Sequence, residues 1–332
     1  MSELTEGGAP PEPVEQQPGP EQPGPEGPPD QPEVLNRRRP YLTYTILVVN
    51  AVVWAVTDIL GRGDPNALIR FGAKYDVLIW SGEYWRLITP IFLHAGLVHL
   101  LLNSYALYSL GLGVELLYGR ARFLVIYLVA GVISTVTSLI FSSSLSVGAS
   151  GAIFGLFGAF VYFALANRRR IGRGVWSAIL PPLLINLGFG LAVPGIDNYA
   201  HVGGLLGGLG TSYIVAPQTA ERPWRKDLTS VVIVAVFIGA VAFSLHPPRA
   251  KWFYDFMAGN KAAEAGDYQT AEGLYQASAA ANPENAAVHY NLAIVYARTN
   301  RTDLAKSSLK QALAVNPDYQ PAKDLLNQLG GP

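Results

Sequence analysis

From Tyr41 onward the chain alternates long apolar runs with short polar breaks, and seven runs reach the roughly 17 to 25 residues that a membrane-crossing helix needs. They fall near 41–60, 91–112, 122–142, 150–167, 175–193, 200–216 and 228–246. The pattern changes on either side of this block. Residues 1–36 hold ten Pro and eight Asp or Glu, no Lys or Arg, and little that is apolar, so they cannot bury enough surface to offset the entropy of ordering. They are expected to form a disordered, Pro/Glu-rich cytoplasmic tail. Their start lacks both a basic and an apolar region, so no cleaved signal peptide is expected. Beyond about residue 251 the sequence is polar, helical in pattern, and repeats with a period of 34: Ala271 recurs as Ala305, Asn282-Pro283 as Asn316-Pro317, and Tyr275 stands opposite Leu309.

Basic residues orient the apolar runs. Arg37-Arg38-Arg39, Arg120 with Arg122, Arg168-Arg169-Arg170 with Arg173, and Arg222 with Arg225-Lys226 all fall on one side, which is therefore assigned to the cytoplasm. The short opposite connections carry a single charge, Asp197. The expected architecture is all-α, a polytopic membrane helix bundle followed by a small helical-repeat domain. Its divisions are the tail over 1–36, a six-helix core over 37–216, a linker and seventh transmembrane helix over 217–248, and an extracytoplasmic repeat domain over 249–332. The 34-residue period resembles tetratricopeptide repeats, with 319–329 as a capping helix. Such arrays usually present a concave surface to a protein partner.

Composition narrows the chemistry. Half of the residues are apolar and 14% are charged, which excludes an ordinary soluble domain. The balance of 24 basic against 24 acidic residues offers no field for nucleic acid. With no cysteine there are no disulfides, thiol nucleophiles or Cys-based zinc sites, leaving oxygen nucleophiles or metals. Strongly polar side chains are costly at membrane depth, so those within the apolar runs need a reason. They are His94, His99 and Asn103 in the second run, Gly148-Ala149-Ser150-Gly151 opening the fourth, and Ala200-His201 opening the sixth.

These groups suit acyl transfer. Ser150 sits between glycines at a loop-to-helix transition, where the hydroxyl is exposed and the helix start supplies free N–H donors. A serine hydroxyl needs a base, and neutral imidazole titrates in the right range. His201 is the candidate, because Gly203, Gly204, Gly207, Gly208 and Gly210 let its helix pack closely on the helix of Ser150. His99 and Asn103, four apart, share a face and can direct N–H groups at one point, as oxyanion donors do. His94, five before His99, is expected nearer the surface, ordering the loop or holding water. Counting about 1.5 Å per residue from the basic boundaries sets Ser150 and His201 roughly 27 and 30 Å above them, at matching depth in the outer part of the membrane. Asp197 is expected to cap the sixth helix, which makes the constellation a dyad. Zinc is disfavoured by the absence of His-Glu-x-x-His, and no cofactor is called for.

With these residues in hand the chain resembles the rhomboid family of intramembrane serine proteases over about residues 41–216. The resemblance is carried by Glu83-Tyr84-Trp85-Arg86-Leu87-Ile88-Thr89, Phe92-Leu93-His94 through His99 and Asn103, Glu115 after Gly111 and Gly113, Gly148 to Gly151, and Ala200-His201-Val202-Gly203-Gly204. It implies Ser150 as nucleophile, His201 as base, and an oxyanion hole of His99, Asn103 and the Ser150 amide. It further implies that Phe154 packs on the histidine ring, that Trp85 and Arg86 belong to an outer loop lying partly in the membrane, with Arg86 paired to a carboxylate or lipid phosphate, and that Glu115 braces that scaffold. Substrates would be single-span membrane proteins, admitted past the fifth helix near Trp176 to Leu184 and cut where they unwind near the outer face. The seventh helix and repeats look like the longer bacterial arrangement, in the bacterial cytoplasmic (inner) membrane. The alternatives are a catalytically silent relative that binds membrane clients, and a transporter, which would spread polar residues through the full depth.

Overall fold

The computed structural model describes residues 39–62, 64, 66–169, 174–216 and 223–331. The acidic tail, Arg37, Arg38, Arg170, Arg173 and Arg222 lie outside the described residues, as does the side chain of Arg225. The described chain is helical throughout, with one isolated bridge between Lys74 and Ser146. In order the helices are α1 (Tyr41–Leu60), α2 (Ala67–Phe71), α3 (Asp76–Trp80), α4 (Leu97–Tyr118), α5 (Arg120–Phe141), α6 (Ser150–Ala166), α7 (Gly174–Ala192), α8 (Asn198–Val215) and α9 (Pro223–Leu245). The repeat region adds α10 (Lys251–Glu264), α11 (Tyr268–Ala281), α12 (Ala286–Arg298), α13 (Thr302–Val315) and α14 (Gln320–Gln328).

Helices α1, α4, α5 and α7, and the stretch entered by α9, are long and apolar enough to cross a membrane. Helix α6 is shorter, at 17 residues, and α8 has 18 residues that include a glycine stripe. The second crossing departs from expectation. Residues 91–96, read as its beginning, instead belong to a 3-10 turn over Thr89–Phe92 and an extended link through Leu93, and α4 starts at Leu97. Pro90 contributes to the shift, because it lacks a backbone donor and lies at the start of the 3-10 turn. At the opposite end Gly119, at φ 82°, ends α4 and starts α5 one residue later, a reversal that a side chain would strain.

Three helices form the inner packing. A methyl group at Gly204 of α8 would stand 1.9 Å from the Gly151 carbonyl oxygen of α6, and one at Gly208 would stand 2.0 Å from that of Gly155. Helix α5 closes the other side, where a methyl at Gly151 would fall 1.8 Å from Ser134 Oγ and one at Gly155 would fall 2.2 Å from the Ala130 methyl. Small residues thus bring three backbones together, giving van der Waals contact where no hydrophobic drive operates between helices in lipid.

The repeat helices bury the positions that the period pairs. Ala271 and Ala305, Tyr275 and Leu309 all lie in one core with Val288, Leu292 and Leu326. Asp267 caps α11 by accepting the Thr270 N–H at 3.0 Å, Asn285 caps α12 through Ala287 at 3.1 Å, and Arg301 bridges to Glu272 at 2.6 Å. Helix α14 covers the open end with Ala322 and Leu326.

Candidate active site

Ser150 is the first residue of α6, delivered by Gly148 at φ 129°, a backbone value that side chains rarely adopt. No side chain caps this helix, so its first-turn N–H groups, that of Ser150 among them, lack partners within the helix. His201 lies one turn into α8. Its Nε2 is 3.0 Å from Ser150 Oγ, the distance of a hydrogen bond. The glycine contacts of α6 and α8 set that distance.

The imidazole is held on its flat side. Phe154, one turn after Ser150, stacks on the His201 ring with centroids 4.3 Å apart and 15° between planes. Its other nitrogen, Nδ1, is buried and has no hydrogen-bond partner among the described residues. Asp197 is turned elsewhere: Oδ1 accepts the Ala200 N–H at 3.0 Å, capping α8, and Oδ2 accepts the Ser138 hydroxyl. Among the described residues, the arrangement is therefore a Ser–His pair with no carboxylate bonded to the imidazole.

Two nitrogens of α4 face the same spot. A methyl at Gly148 would lie 2.8 Å from His99 Nε2 and 3.8 Å from Asn103 Nδ2. His99 Nδ1 accepts the Ala95 N–H at 3.4 Å, which leaves Nε2 as the protonated nitrogen of the neutral ring and a donor toward Gly148. Asn103 Nδ2 spends one hydrogen on the His99 carbonyl at 3.0 Å and keeps the second. His94 is corrected in two respects. It lies before α4 rather than within it, and it is deeply buried, at 2% exposure, with its ring edge-on to His99 at 5.3 Å.

Trp85, Arg86 and Glu115 act at a distance. Arg86 is buried and binds the Glu83 carboxylate at 2.7 Å and the carbonyls of Ile69 and Ala73, while its guanidinium covers the Trp85 ring at 4.4 Å. The pair folds the 61–90 loop onto itself. Glu115 braces a different region from the one expected. Its carboxylate accepts the N–H groups of Leu42 and Thr43 and the Thr43 hydroxyl at 2.8 to 3.0 Å, so it anchors the start of α1, roughly 24 Å along α4 from His99. Sequence reasoning missed the cluster of Lys74, Asp76 and Arg249, where both cations contact Asp76 at 2.6 Å. Its one sequence signal was charge: Lys74 and Asp76 lie on the 61–90 connection, which is the charged one among the outer connections between the apolar runs. Among the described residues, no group of three or more His, Asp or Glu is placed to hold a metal ion.

Comparisons with known proteins agree with this architecture. The rhomboid domain family model matches residues 81–218, and a tetratricopeptide repeat model matches residues 262–329. The chain is 36% identical over 285 residues to the rhomboid protease GluP of Bacillus subtilis (strain 168), covering 86% of this chain but 56% of that protein, so it spans little more than half of that relative's length. A second B. subtilis protein, YdcA, is 34% identical over 194 residues, 56% of this chain and 94% of YdcA. The mitochondrial RHOMBOID-like protein 6 of Arabidopsis thaliana is 40% identical over 169 residues, about half of each chain, at 49% and 54%. A match at this identity that takes in nearly all of YdcA, together with the rhomboid domain model over residues 81–218, shows that the chain is a multi-pass membrane protein belonging to the rhomboid family.

Proposed function

We propose that the protein is an intramembrane serine endopeptidase that cleaves transmembrane segments of single-span membrane proteins with a Ser150–His201 dyad near the outer face of the membrane. The observation that carries this reading is the 3.0 Å approach of His201 Nε2 to Ser150 Oγ beside the converging nitrogens of His99 and Asn103. Ser150 Oγ attacks the scissile carbonyl carbon while His201 Nε2 takes the hydroxyl proton. The negative oxygen that forms is held by the Ser150 N–H, His99 Nε2 and Asn103 Nδ2, donors fixed in place before the reaction. His201 passes the proton to the departing amine. Water then attacks the Ser150 ester with His201 again as base, releasing the new carboxyl end and restoring the serine.

The same reading divides the chain into the tail over 1–36, the catalytic core over 37–216, a linker and seventh span over 217–248, and the repeats over 249–332. The N-terminus is cytoplasmic and the repeats are extracytoplasmic, in the bacterial inner membrane. The ion pair of Arg249, just past α9, with Asp76 of the outer loop supports that orientation, because it holds the exit of the last span beside the loop preceding the site. Substrate helices enter past α7, where Pro181 and Pro182 lie inside the helix and few residues are buried.

Cleavage of a generic single-span substrate by purified protein in lipid, with Ser150→Ala and His201→Ala as controls, tests the activity. Loss of cleavage in both variants is expected. Substrate that binds wild type without being cut would favour a client-binding role instead. The absence of native cysteine makes single-cysteine accessibility a clean test of sidedness, with labels at the repeats expected to react from outside.

A further inference from the structure

The cluster missed by sequence reasoning ties three distant segments together. Lys74 Nζ pairs with Asp76 Oδ1 at 2.6 Å, and Arg249 Nη2, 173 residues further on, pairs with Asp76 Oδ2 at 2.6 Å. Both cations also bind the connection between α5 and α6. Lys74 Nζ donates to the carbonyls of Ser142 at 2.7 Å and Ser144 at 3.1 Å, and Arg249 Nη2 donates to those of Ser142 at 3.0 Å and Leu139. The Lys74 and Ser146 backbones exchange hydrogen bonds of 3.0 and 3.2 Å, Gly148 N–H donates to Pro90 at 2.8 Å, and Ser150 follows two residues later. The segment that delivers the nucleophile is thus held by groups from the outer loop and from the far end of α9. Lys74 is fully buried, and burial pushes its ammonium below its usual range while Asp76 opposes that. A buried cation of this kind depends on its partner.

Arg249 also stands at the entry to the repeats. Its guanidinium lies over the Trp80 ring at 5.4 Å, Phe253 of α10 packs on that ring at 6.0 Å, and Trp80 Nε1 donates to the Ser244 carbonyl at 3.3 Å. Ala250 and Phe253 share a buried cluster with Ile79, Trp80, Leu87, Val136 and Leu139, so the first repeat helix is seated on the outer loop and α5.

We propose that Lys74 and Asp76 are positioning residues for the segment that presents Ser150, and that Arg249 makes the seating of the repeat domain on the outer loop a condition for full activity. The proposal rests on the dyad reading above. When α10 leaves Trp80, Arg249 withdraws, Asp76 and the Ser142 carbonyl lose a partner, and residues 142–148 slacken. Misplacement of a nucleophile by a fraction of an ångström is enough to slow turnover, and substrate docking need not change.

The test uses the full chain in lipid nanodiscs and compares wild type with Arg249→Gln, Arg249→Lys, Asp76→Asn and the double variant. Three quantities are read: cleavage kinetics, the rate at which a fluorophosphonate labels Ser150, and hydrogen exchange across residues 142–149. Arg249→Gln is expected to lower kcat and labelling by on the order of tenfold or more, with KM within about twofold, and to speed exchange of that segment. Arg249→Lys recovers most of the loss, and the double variant is no worse than the worse single one, because the groups act as one unit. Should Arg249→Gln not fold, Phe253→Ala unseats α10 without deleting any of the charged groups, lets Arg249 withdraw, and carries the same expectation. Wild-type labelling and exchange in the unseated protein would overturn the proposal. Failure of wild type itself to label at Ser150 would overturn the dyad reading beneath it.

Discussion

Helices α5 and α7 are both apolar enough to cross a membrane, yet 61% of the hydrophobic stretch of α5 is buried in the protein against 17% of that of α7. The first belongs to a trio, with α6 and α8, whose backbones touch through glycine and alanine. The second buries only Ile179, Leu183 and Gly190 and carries Pro181 and Pro182 within its length. Groups that must meet within a few tenths of an ångström sit on the part that cannot give. The part that can give is the side by which the proposed function admits a substrate helix. The proposed intramembrane hydrolysis asks for both, and on that reading they fall to different helices.

The largest effect should come from spoiling the close trio. Gly204→Val puts a branched side chain against the Gly151 carbonyl, which a Cβ already meets at 1.9 Å. Backbone cannot swing away as a side chain can, so stability should fall by about 3 kcal/mol or more and cleavage should vanish, as thermal unfolding in detergent and a substrate assay would register. Asn103→Ala should leave unfolding nearly unchanged but lower kcat about a hundredfold, the scale for one oxyanion donor. A loss confined to KM would remove Asn103 from that role.

Glu115→Gln separates bracing from chemistry. It weakens the bonds to Leu42, Thr43 and the Thr43 hydroxyl and should cost about 1–3 kcal/mol, with turnover per folded molecule preserved. The smallest effect is expected on the loose side. Pro181→Ala with Pro182→Ala restores helix donors and stiffens α7, so cleavage of a transmembrane substrate should slow a few-fold while fluorophosphonate labelling of Ser150 keeps its rate. Equal slowing of both would mean that α7 supports the site rather than admits substrate.

Much of this division is legible in the chain. Spans appear as apolar runs, and the approach of Ser150 to His201 follows from polar residues opening two runs that share small-residue faces. The 34-residue period marks the buried Ala271 and Ala305. What escapes is whatever depends on distant partners or on backbone breaks inside a run. The 91–96 segment is apolar enough to pass for helix, yet it belongs to a 3-10 turn with Pro90 at its start and to an extended link, which changes where His94 lies. Glu115 gives no local hint that its partners are 72 and 73 residues back, at the start of α1. The pairing of Asp76 with Arg249 joins residues that no periodicity relates.

The central claim is that Ser150 is a nucleophile activated by His201. Mass spectrometry of the protein after reaction with a fluorophosphonate in lipid tests it most directly. The account predicts one adduct, on Ser150, formed by wild type and by neither His201→Ala nor heat-unfolded protein. An adduct on another serine, or undiminished labelling in His201→Ala, would contradict it.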